Sequence, residues 1–256
     1  MVHDISVTGA KPVWSRIANI GNTLHDAVRI DMDKDRMEIS AVDGSHVALW
    51  EMEIPSEAFA EYTVAKTIEE EIPLDIVTRS LRTMKKQTDL QKMTLSSDKR
   101  LTLENQNQDL WWHLQGQPQK VRTPELDFKA NVVVIPTAWL LDALLAVNDY
   151  NNLATFTTDP KQALFYIESN EKQAETTTGT TLKYHLLEER GEKPPEEYAR
   201  QTFSFQYLIP IIRKLKSEKC ASVELWIMDK FPLKLVGEWD DGTKSTLFLA
   251  PRISRD

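Results

Sequence analysis

The stretch Ile72-Pro73-Leu74-Asp75 begins a segment whose apolar side chains, at positions 77, 81 and 84, recur with the period of a helix. A proline suits the first turn of a helix because the N–H group that it lacks would have no partner there. Three similar segments contain Pro12, Pro136 and Pro210, with Pro210 inside the first turn. Each segment is about three turns long with one apolar stripe, so the sequence predicts four short helices that lie on flat surfaces.

Strand-like sequence fills the intervals between these helices. The runs are short, rich in β-branched and aromatic residues, and separated by turn-forming residues. The helix-then-strands pattern recurs at intervals of roughly 65 residues, which is typical of duplicated half-domains. The predicted strands are 27–32, 36–42, 47–55, 90–96, 100–105, 110–115, 153–158, 163–169, 180–187, 221–228, 233–238 and 245–250.

Two such repeats make one domain, and the chain contains two domains of similar design. The predicted fold class is α+β, with a domain at 1–116 and a second at 128–256, each with two short helices on antiparallel sheets. The segment between them, 117–127, is polar and contains two prolines. This composition favours an extended inter-domain connector.

Composition excludes several classes of protein. The 256 residues include 31 Lys and Arg against 39 Asp and Glu, a net charge of −8, and 41% are hydrophobic, as in ordinary globular proteins. No apolar run is long enough to span a membrane, and no secretory signal is expected. A single cysteine, Cys220, excludes a disulfide scaffold and favours a reducing, intracellular compartment. The glycines lack the spacing of a phosphate-binding or dinucleotide-binding loop.

Two parts of the sequence, one in the first domain and one near the C-terminus, resemble one known family. The stretch Ala41-Val42-Asp43-Gly44-Ser45-His46-Val47-Ala48-Leu49, with Phe59 and Tyr62 after it, is similar to the segment before the first-domain crossover of the proliferating cell nuclear antigen (PCNA) sliding clamps. Phe231-Pro232-Leu233 and Phe248-Leu249-Ala250-Pro251-Arg252-Ile253 are similar to that family's C-terminal ending. The length and the repeat pattern of the chain agree with those of this family over essentially the whole sequence, although residues 150–200 are similar to the family in layout only.

The resemblance implies a non-catalytic ring protein of the archaeal or eukaryotic type. Three two-domain subunits would join head to tail around duplex DNA, with helices inside and sheets outside. DNA polymerase, the clamp loader and other proteins with clamp-binding peptides would be the partners, and no cofactor is expected. The location would be cytoplasmic on the archaeal nucleoid, or nuclear in a eukaryote. The chain would then be a subunit of a homotrimer or a specialised subunit of a heterotrimer.

Basic residues on the predicted helices are the candidate DNA contacts. Arg79, Arg82 and Lys86 have the spacing of a single helix face, and phosphates need such point charges without base reading. The plainer interpretation is that solvated helix faces commonly carry Lys and Arg. The candidate DNA-binding residues are Lys11, Arg16, Arg79, Arg82, Lys85, Lys86, Arg213, Lys214, Lys216 and Lys219.

The third helix departs from the family pattern because it has no basic residue and carries Asp142. Either the subunit would grip DNA asymmetrically, or the trimer would rely on the other three helices.

The resemblance also implies a shallow apolar pocket for the peptides of partner proteins. Arg122 and Thr123 stand where the family often has aliphatic residues, so the preference for partners is expected to differ. The alternative is that some of these residues are ordinary core or strand-end residues. The candidate peptide-binding residues are Val42, His46, Val121, Phe231, Pro232, Ala250, Pro251 and Ile253.

Subunits are expected to join through two sheet edges, near 109–115 and 180–187, since unpaired edges are normally covered. Trp111 and Trp112 could instead stack on bases, although sheet-edge anchoring is favoured. The candidate interface residues are Trp112, His113, Leu114, Leu182 and Tyr184.

Catalytic and metal sites are not expected. Asp43, Ser45 and His46 are too close in sequence to converge as a catalytic triad, and the five histidines are scattered without metal-ligand spacing. An enzyme of nucleic-acid metabolism remains the alternative from a different class, but clustered carboxylates and a phosphate loop are missing from the sequence.

Overall fold

The computed structural model describes residues 3–115, 130–148, 152–159, 164–169, 179–183 and 199–252. The chain forms two compact units. The first consists of Met1–Arg122 with Trp239–Ser245, and the second of Thr123–Glu238 with Thr246–Asp256.

Among its described residues, the first unit contains two helices and nine complete strands, with a short 3-10 helix at Ser56–Ala58. In chain order they are β1 His3–Ala10, α1 Lys11–Gly21, β2 Ala27–Met32, β3 Arg36–Val42, β4 Ala48–Pro55, β5 Glu61–Val64, β6 Ile68–Pro73, α2 Leu74–Thr83, β7 Leu90–Ser96, β8 Arg100–Asn105 and β9 Gln108–His113.

The second unit repeats the plan. It contains β10 Asn131–Pro136, α3 Thr137–Val147, β11 Leu153–Asp159, β12 Leu164–Glu168, β13 Gly179–Lys183, β14 Ala199–Ser204, α4 Phe205–Ser217, β15 Ser222–Ile227, β16 Leu233–Glu238 and β17 Lys244–Leu249. The first two residues of β17 belong to the first unit. The α+β class and the pair of helices in each unit are confirmed.

Every helix directly follows a strand: β1 leads into α1, β6 into α2, β10 into α3 and β14 into α4. The sequence patterns missed all four of these strands and also β5. The repeated element is therefore strand, helix and then further strands.

The prolines mark the helix starts less uniformly than predicted. Pro12 is the second residue of α1, whereas Pro73 and Pro136 are the last residues of β6 and β10 and cap the helices that follow. Pro210 lies in the second turn of α4, so its predicted place in the first turn is wrong. That helix begins earlier, at Phe205, where the Ser204 hydroxyl accepts a hydrogen bond from the Gln206 N–H at 3.3 Å.

The strand pairs that can be read residue by residue are antiparallel. In the first unit one sheet has the order β5-β1-β7-β8-β9, and a second run has the order β4-β3-β2-β6. In the second unit one sheet has the order β13-β12-β11-β14, and a second run has the order β10-β15-β16-β17. Strands β9 and β13 are edge strands among the strands that the structure describes.

Apolar helix faces and strand residues form the core of each unit. In the first unit, Trp14 and Ile17 of α1 are buried, and the Trp14 indole donates to the Gly9 carbonyl at 3.1 Å. In the second unit, the rings of Phe165 and Phe203 pack edge-on against Phe156 with centroids 5.7 and 5.6 Å away. Helices α1, α2 and α4 therefore turn their apolar stripes inward, whereas α3 also leaves the apolar side chains of Trp139 and Leu145 exposed.

Within the described residues, every helix is too short or too polar to cross a membrane.

Candidate functional site

Helix α2 presents two arginines to solvent. Arg79 and Arg82 are exposed, while Ile76 and Val77 on the other side of the helix are buried. The Arg79 guanidinium donates to the carboxylate of Asp75, one turn earlier, at 2.8 Å. Arg82 lies in the last turn, where a positive charge interacts favourably with the helix dipole.

Lys85 and Lys86 do not continue the basic face of α2, so the predicted single face with Arg79, Arg82 and Lys86 is wrong. The helix ends at Thr83. The two lysines lie in the following turn, where their backbone N–H groups donate to the Asp89 carboxylate at 2.7 and 2.9 Å. The hydrogen bond from the Lys86 N–H, followed by that from Lys85, lowers the pKa of Asp89. Both lysine side chains remain exposed.

Helix α4 carries the second group of exposed cations. Arg213 and Lys216 are exposed, Lys214 is half-buried, and Ile212 and Leu215 are buried on the inner side. These cations lie towards the C-terminal end, which complements the helix dipole.

Lys219 follows the end of α4 in the left-handed conformation, with φ of 63°. Its side chain is exposed beside the helix terminus. The backbone reverses here, and the Cys220 N–H donates to the Leu215 carbonyl at 2.9 Å. Lys219 is therefore an exposed cation of the turn and not of the helix itself.

Arg16 is not available to DNA, which corrects its assignment as a DNA contact. Its side chain is only 11% exposed, and its guanidinium donates to the Asp241 carboxylate at 2.5 Å and to the Thr243 hydroxyl at 3.2 Å. The guanidinium also lies over the ring of Trp239, 4.8 Å from its centroid. A buried and paired guanidinium of this kind holds a hairpin in place and cannot reach phosphate.

Lys11 is likewise engaged inside the first unit. Its ammonium group is part-buried and donates to the carbonyl of Met84, at the C-terminal cap of α2, at 2.7 Å. Here the cation satisfies a terminal carbonyl of the helix. This contact makes Lys11 a link between the start of α1 and the end of α2.

Helix α3 exposes a mostly apolar outer face, with Trp139, Leu145 and one carboxylate, that of Asp142. The Lys216 ammonium group of α4 lies 3.7 Å from that carboxylate. The exposed faces of α3 and α4 are therefore neighbours, and α4 supplies the cation that the sequence of α3 lacks.

Of the proposed pocket residues, Val42 and His46 lie in the first unit, at the end of β3 and in the turn after it. Val42 is half-buried and His46 is exposed, with φ of 56°. The buried Asp43 organises this turn, because its carboxylate accepts hydrogen bonds from the backbone of Ser45, Val47 and Ala48 at 3.0, 2.7 and 2.7 Å. The carboxylate serves the backbone, so it is not the orienting member of a catalytic triad.

Four further pocket residues lie in the second unit. Phe231 and Pro232 precede β16, while Ala250 and Pro251 follow β17, and all four are half-buried. Val121, Ile253 and the predicted connector at 117–127 lie outside the described residues.

Strand β9 is the more completely described of the two predicted interface edges. Trp112 is 44% exposed and Trp111 is 57% exposed. The Arg100 guanidinium lies 5.0 Å from the Trp111 ring centroid, and the His113 ring packs edge-on against the same indole at 5.7 Å. Leu114 does not fit the prediction, since it is only 6% exposed and follows the end of β9.

On the other predicted edge, Leu182 belongs to β13, and Tyr184 lies outside the described residues. Arg100 was missed as part of the β9 surface, because the pairing of β8 with β9 that brings it beside Trp111 cannot be read from sequence spacing.

Among the described residues, no group of three or more His, Cys, Asp or Glu side chains could hold a metal ion.

Comparisons with known proteins agree with this architecture. Residues 12–115 match the family described as "Proliferating cell nuclear antigen, N-terminal domain". A DNA polymerase sliding clamp of Methanococcus maripaludis (strain C6) is 25% identical over 94% of this chain and 95% of its own length. The DNA polymerase sliding clamp 3 of Sulfurisphaera tokodaii is 23% identical over 89% of this chain and 90% of its own.

Solved structures share the fold over nearly the whole chain. The PCNA of A. fulgidus, solved with the C-terminal region of FEN-1 bound, has a TM-score of 0.82 at 20% identity and covers 98% of this chain and 100% of its own. The PCNA2–PCNA3 complex from Sulfolobus tokodaii gives a TM-score of 0.78 at 18% identity, covering 96% of this chain and 99% of the matched one.

The fold is that of a sliding clamp, with paired units that each set two helices on antiparallel sheets. Residues 12–115 match the PCNA N-terminal domain family, and the chain is similar over most of its length to archaeal DNA polymerase sliding clamps.

Proposed function

We propose that this chain is a subunit of a three-membered ring that encircles duplex DNA and tethers DNA polymerase and other replication and repair proteins. The ring would act as a scaffold and not as an enzyme, and it would be found where the chromosome is. The proposal is supported by the match of residues 12–115 to the PCNA N-terminal domain family, by the similarity to archaeal sliding clamps and by surfaces within each of the two units.

The observation that carries the proposal is the position of the free cations. The chain has a net charge of −8, yet Arg82, Arg213 and Lys214 stand on the outward sides of α2 and α4 without an acidic partner among the described residues. Such a local excess of positive charge suits a polyanion, and the absence of base-reading geometry is no obstacle to sequence-independent contact. A negative net charge combined with exposed cations on α2 and α4 fits a protein that holds DNA loosely.

The sheet edges supply a route to the ring. An exposed edge strand is a template for pairing with another chain, and β9 and β13 are edges of sheets in different units. Pairing β9 of one copy with β13 of the next joins two different surfaces, and three such joints close if each turns the subunit by about 120°. The exposed indoles of Trp111 and Trp112 would be covered in that joint.

Partner proteins would bind an apolar cleft lined by Val42, His46 and the second-unit residues Phe231, Pro232, Ala250 and Pro251, together with Val121 and Ile253. Half-buried apolar residues at strand ends suit a peptide with one or two large apolar anchors. The A. fulgidus PCNA, which was solved with the C-terminal region of FEN-1, is a related protein that binds a peptide segment.

Primer extension tests the proposal. A polymerase and a clamp loader from a related archaeon are supplied with a long primed single-stranded circle, with and without this protein. The proposal predicts markedly longer products per binding event when the protein and the loader are both present. Product lengths that do not respond to the protein would contradict it, and so would nuclease or ATPase activity that persists through purification.

A second candidate function is that of one specialised subunit in a heterotrimeric clamp. The relative named sliding clamp 3 and the PCNA2–PCNA3 complex are the observations that favour it, together with the lack of a basic residue on α3. The mass of the purified chain in solution separates the two. A stable trimer of this chain alone supports the homomeric ring, while a monomer or dimer that completes a ring only with another clamp chain supports the heteromeric one.

A further inference from the structure

In each unit, an exposed carboxylate already holds one of the exposed helix cations. Arg79 lies 2.8 Å from Asp75 within α2, and Lys216 lies 3.7 Å from Asp142 between α4 and α3. The two pairs belong to different units and arise differently, one along a single helix and the other between two helices. By contrast, Arg82, Arg213 and Lys214 have no acidic partner among the described residues.

These carboxylates would meet the same face that the proposed function gives to DNA. A cation binds DNA mainly by displacing a condensed counterion from a phosphate, so each cation that contacts a phosphate steepens the salt dependence of binding. A carboxylate within 4 Å already neutralises that cation, and its own negative charge repels an approaching phosphate. DNA must therefore displace the carboxylate before it can use Arg79 or Lys216.

The cost of this displacement is small enough for rapid sliding. All four side chains are well exposed, with Asp142 71% and Lys216 44% accessible. Exposed ion pairs of this kind are weak, contributing about 0.2–1 kcal/mol in general, so DNA and carboxylate can exchange places on the cation.

We infer that Asp75 and Asp142 are built-in competitors of DNA phosphate, which hold Arg79 and Lys216 and so weaken the grip of the helices on DNA. This inference rests on the proposed function. It explains how α3 can take part in the DNA-facing layer without a basic residue, since its role there is to restrain a cation of α4.

The test begins with Asp142→Asn, which keeps the size of the side chain and removes its charge. The probe is a short fluorescein-labelled DNA duplex, whose affinity for the protein is measured by anisotropy over a series of salt concentrations. The affinity should rise about two- to fivefold, the equivalent of one exposed ion pair. The slope of log affinity against log salt should steepen by up to about 0.9 for each additional phosphate that the freed cation neutralises.

A matched control separates local competition from net charge. Glu57→Gln changes the net charge equally, at an exposed position of the 3-10 helix without an acidic or basic partner among the described residues. It should leave the salt slope unchanged. Asp75→Asn should act like Asp142→Asn, with thermal unfolding as a check because Asp75 also lies in the first turn of α2.

A double variant identifies the cation. If Asp142 acts by holding Lys216, then Asp142→Asn should steepen the slope less in a Lys216→Ala background than in the wild type. The inference is overturned if the wild type binds DNA with a salt-dependent affinity, while Asp142→Asn and Asp75→Asn behave like Glu57→Gln. If the wild type shows no salt-dependent affinity for the duplex at all, the DNA contact of the proposed function fails, and this inference fails with it.

Discussion

The Arg16 guanidinium lies 2.5 Å from the Asp241 carboxylate, although the two residues are 225 positions apart in the sequence. Asp241 sits in the hairpin between β16 and β17, and this hairpin belongs to the first unit with α1. Thr243 and the Trp239 ring complete the surroundings of the guanidinium. This hairpin is thus held against α1 within the first unit by a partly buried ion pair.

Replacing Asp241 with Ala should destabilise the first unit. The change leaves the buried Arg16 guanidinium without its charged partner, and a lost hydrogen bond to a charged group costs about 1.5–3 kcal/mol. Urea unfolding followed by tryptophan fluorescence measures the loss. Asp240→Ala, at the exposed neighbouring position of the same hairpin, serves as the control and should change the free energy of unfolding little. Equal stabilities of the two variants would contradict a stabilising role for the pair.

The stabilising effect of Asp241 should depend on pH in the acidic range. Burial raises the pKa of Asp241, but hydrogen bonds from Thr243 and Arg16 outweigh burial and hold the pKa below its ordinary value of 3.8. A carboxyl group whose pKa is lowered by folding stabilises the protein above its unfolded pKa, and this contribution is lost as the pH falls through the folded pKa.

The difference in unfolding free energy between the wild type and Asp241→Asn should therefore be constant from neutral pH down to about pH 5 and shrink below about pH 4. Unfolding curves at stepwise lower pH measure it. A difference that grows as the pH falls would reverse the sign of this prediction.

Replacing Val42 with Glu should weaken the binding of a partner peptide. Val42 is half-buried at the end of β3, and a charge there would face an incoming apolar anchor without a partner. The expected loss is about ten- to hundredfold in affinity, typical of removing one important contact. A fluorescent peptide with aromatic anchors is titrated against both proteins.

Ser40→Glu is the matched control for that titration, because Ser40 lies two residues earlier on the same face of β3. It should bind the peptide like the wild type. If Val42→Glu keeps full affinity while its oligomeric state is intact, Val42 does not line the site.

A proline at Trp112 should shift the protein toward monomer. Proline removes a backbone donor from β9 and disfavours strand pairing, and β9 is the proposed joint with β13 of the next copy. Light scattering coupled to size exclusion measures the mass. Thr63→Pro places the same disruption in β5, at the opposite edge of the same sheet, and should leave the assembly intact. A trimeric Trp112→Pro protein would place the joint elsewhere.

Much of the fold follows from local patterns in the sequence. The bounds of β2, β3, β7, β8 and β16 agree with the prediction. In β2, β3 and β8 the alternation of buried residues matches the alternation of apolar residues in the sequence. Strand β6 was missed, and its three consecutive carboxylates, Glu69, Glu70 and Glu71, lack the alternation of apolar residues that marks a half-buried strand. In the fold, Glu69 pairs with Arg29 at 3.0 Å and Glu70 with Lys99 at 3.2 Å, which allows an acidic strand to lie at an edge.

The candidate site was harder to predict, because helical spacing shows which residues share a face but not what lies opposite. Arg16 and Lys11 have the charge of DNA contacts, yet their partners, Asp241 and the Met84 carbonyl, come from distant parts of the chain. The helix α2 ends at Thr83, before the turn that Asp89 organises, and this removed Lys86 from the predicted face. The environment of these side chains depends on contacts between residues that are far apart in the sequence, and local sequence patterns do not show such contacts.

The most direct test of the ring is topological. The protein is loaded by a clamp loader onto a nicked circular plasmid, and the DNA-bound fraction is isolated by gel filtration at a salt concentration that abolishes ordinary ionic binding. A closed ring should stay with the circle and be lost when a restriction enzyme cuts the DNA, since the ring can then slide off the ends. Loss of the protein from the intact circle at that salt concentration, or its retention after the cut, would contradict encirclement.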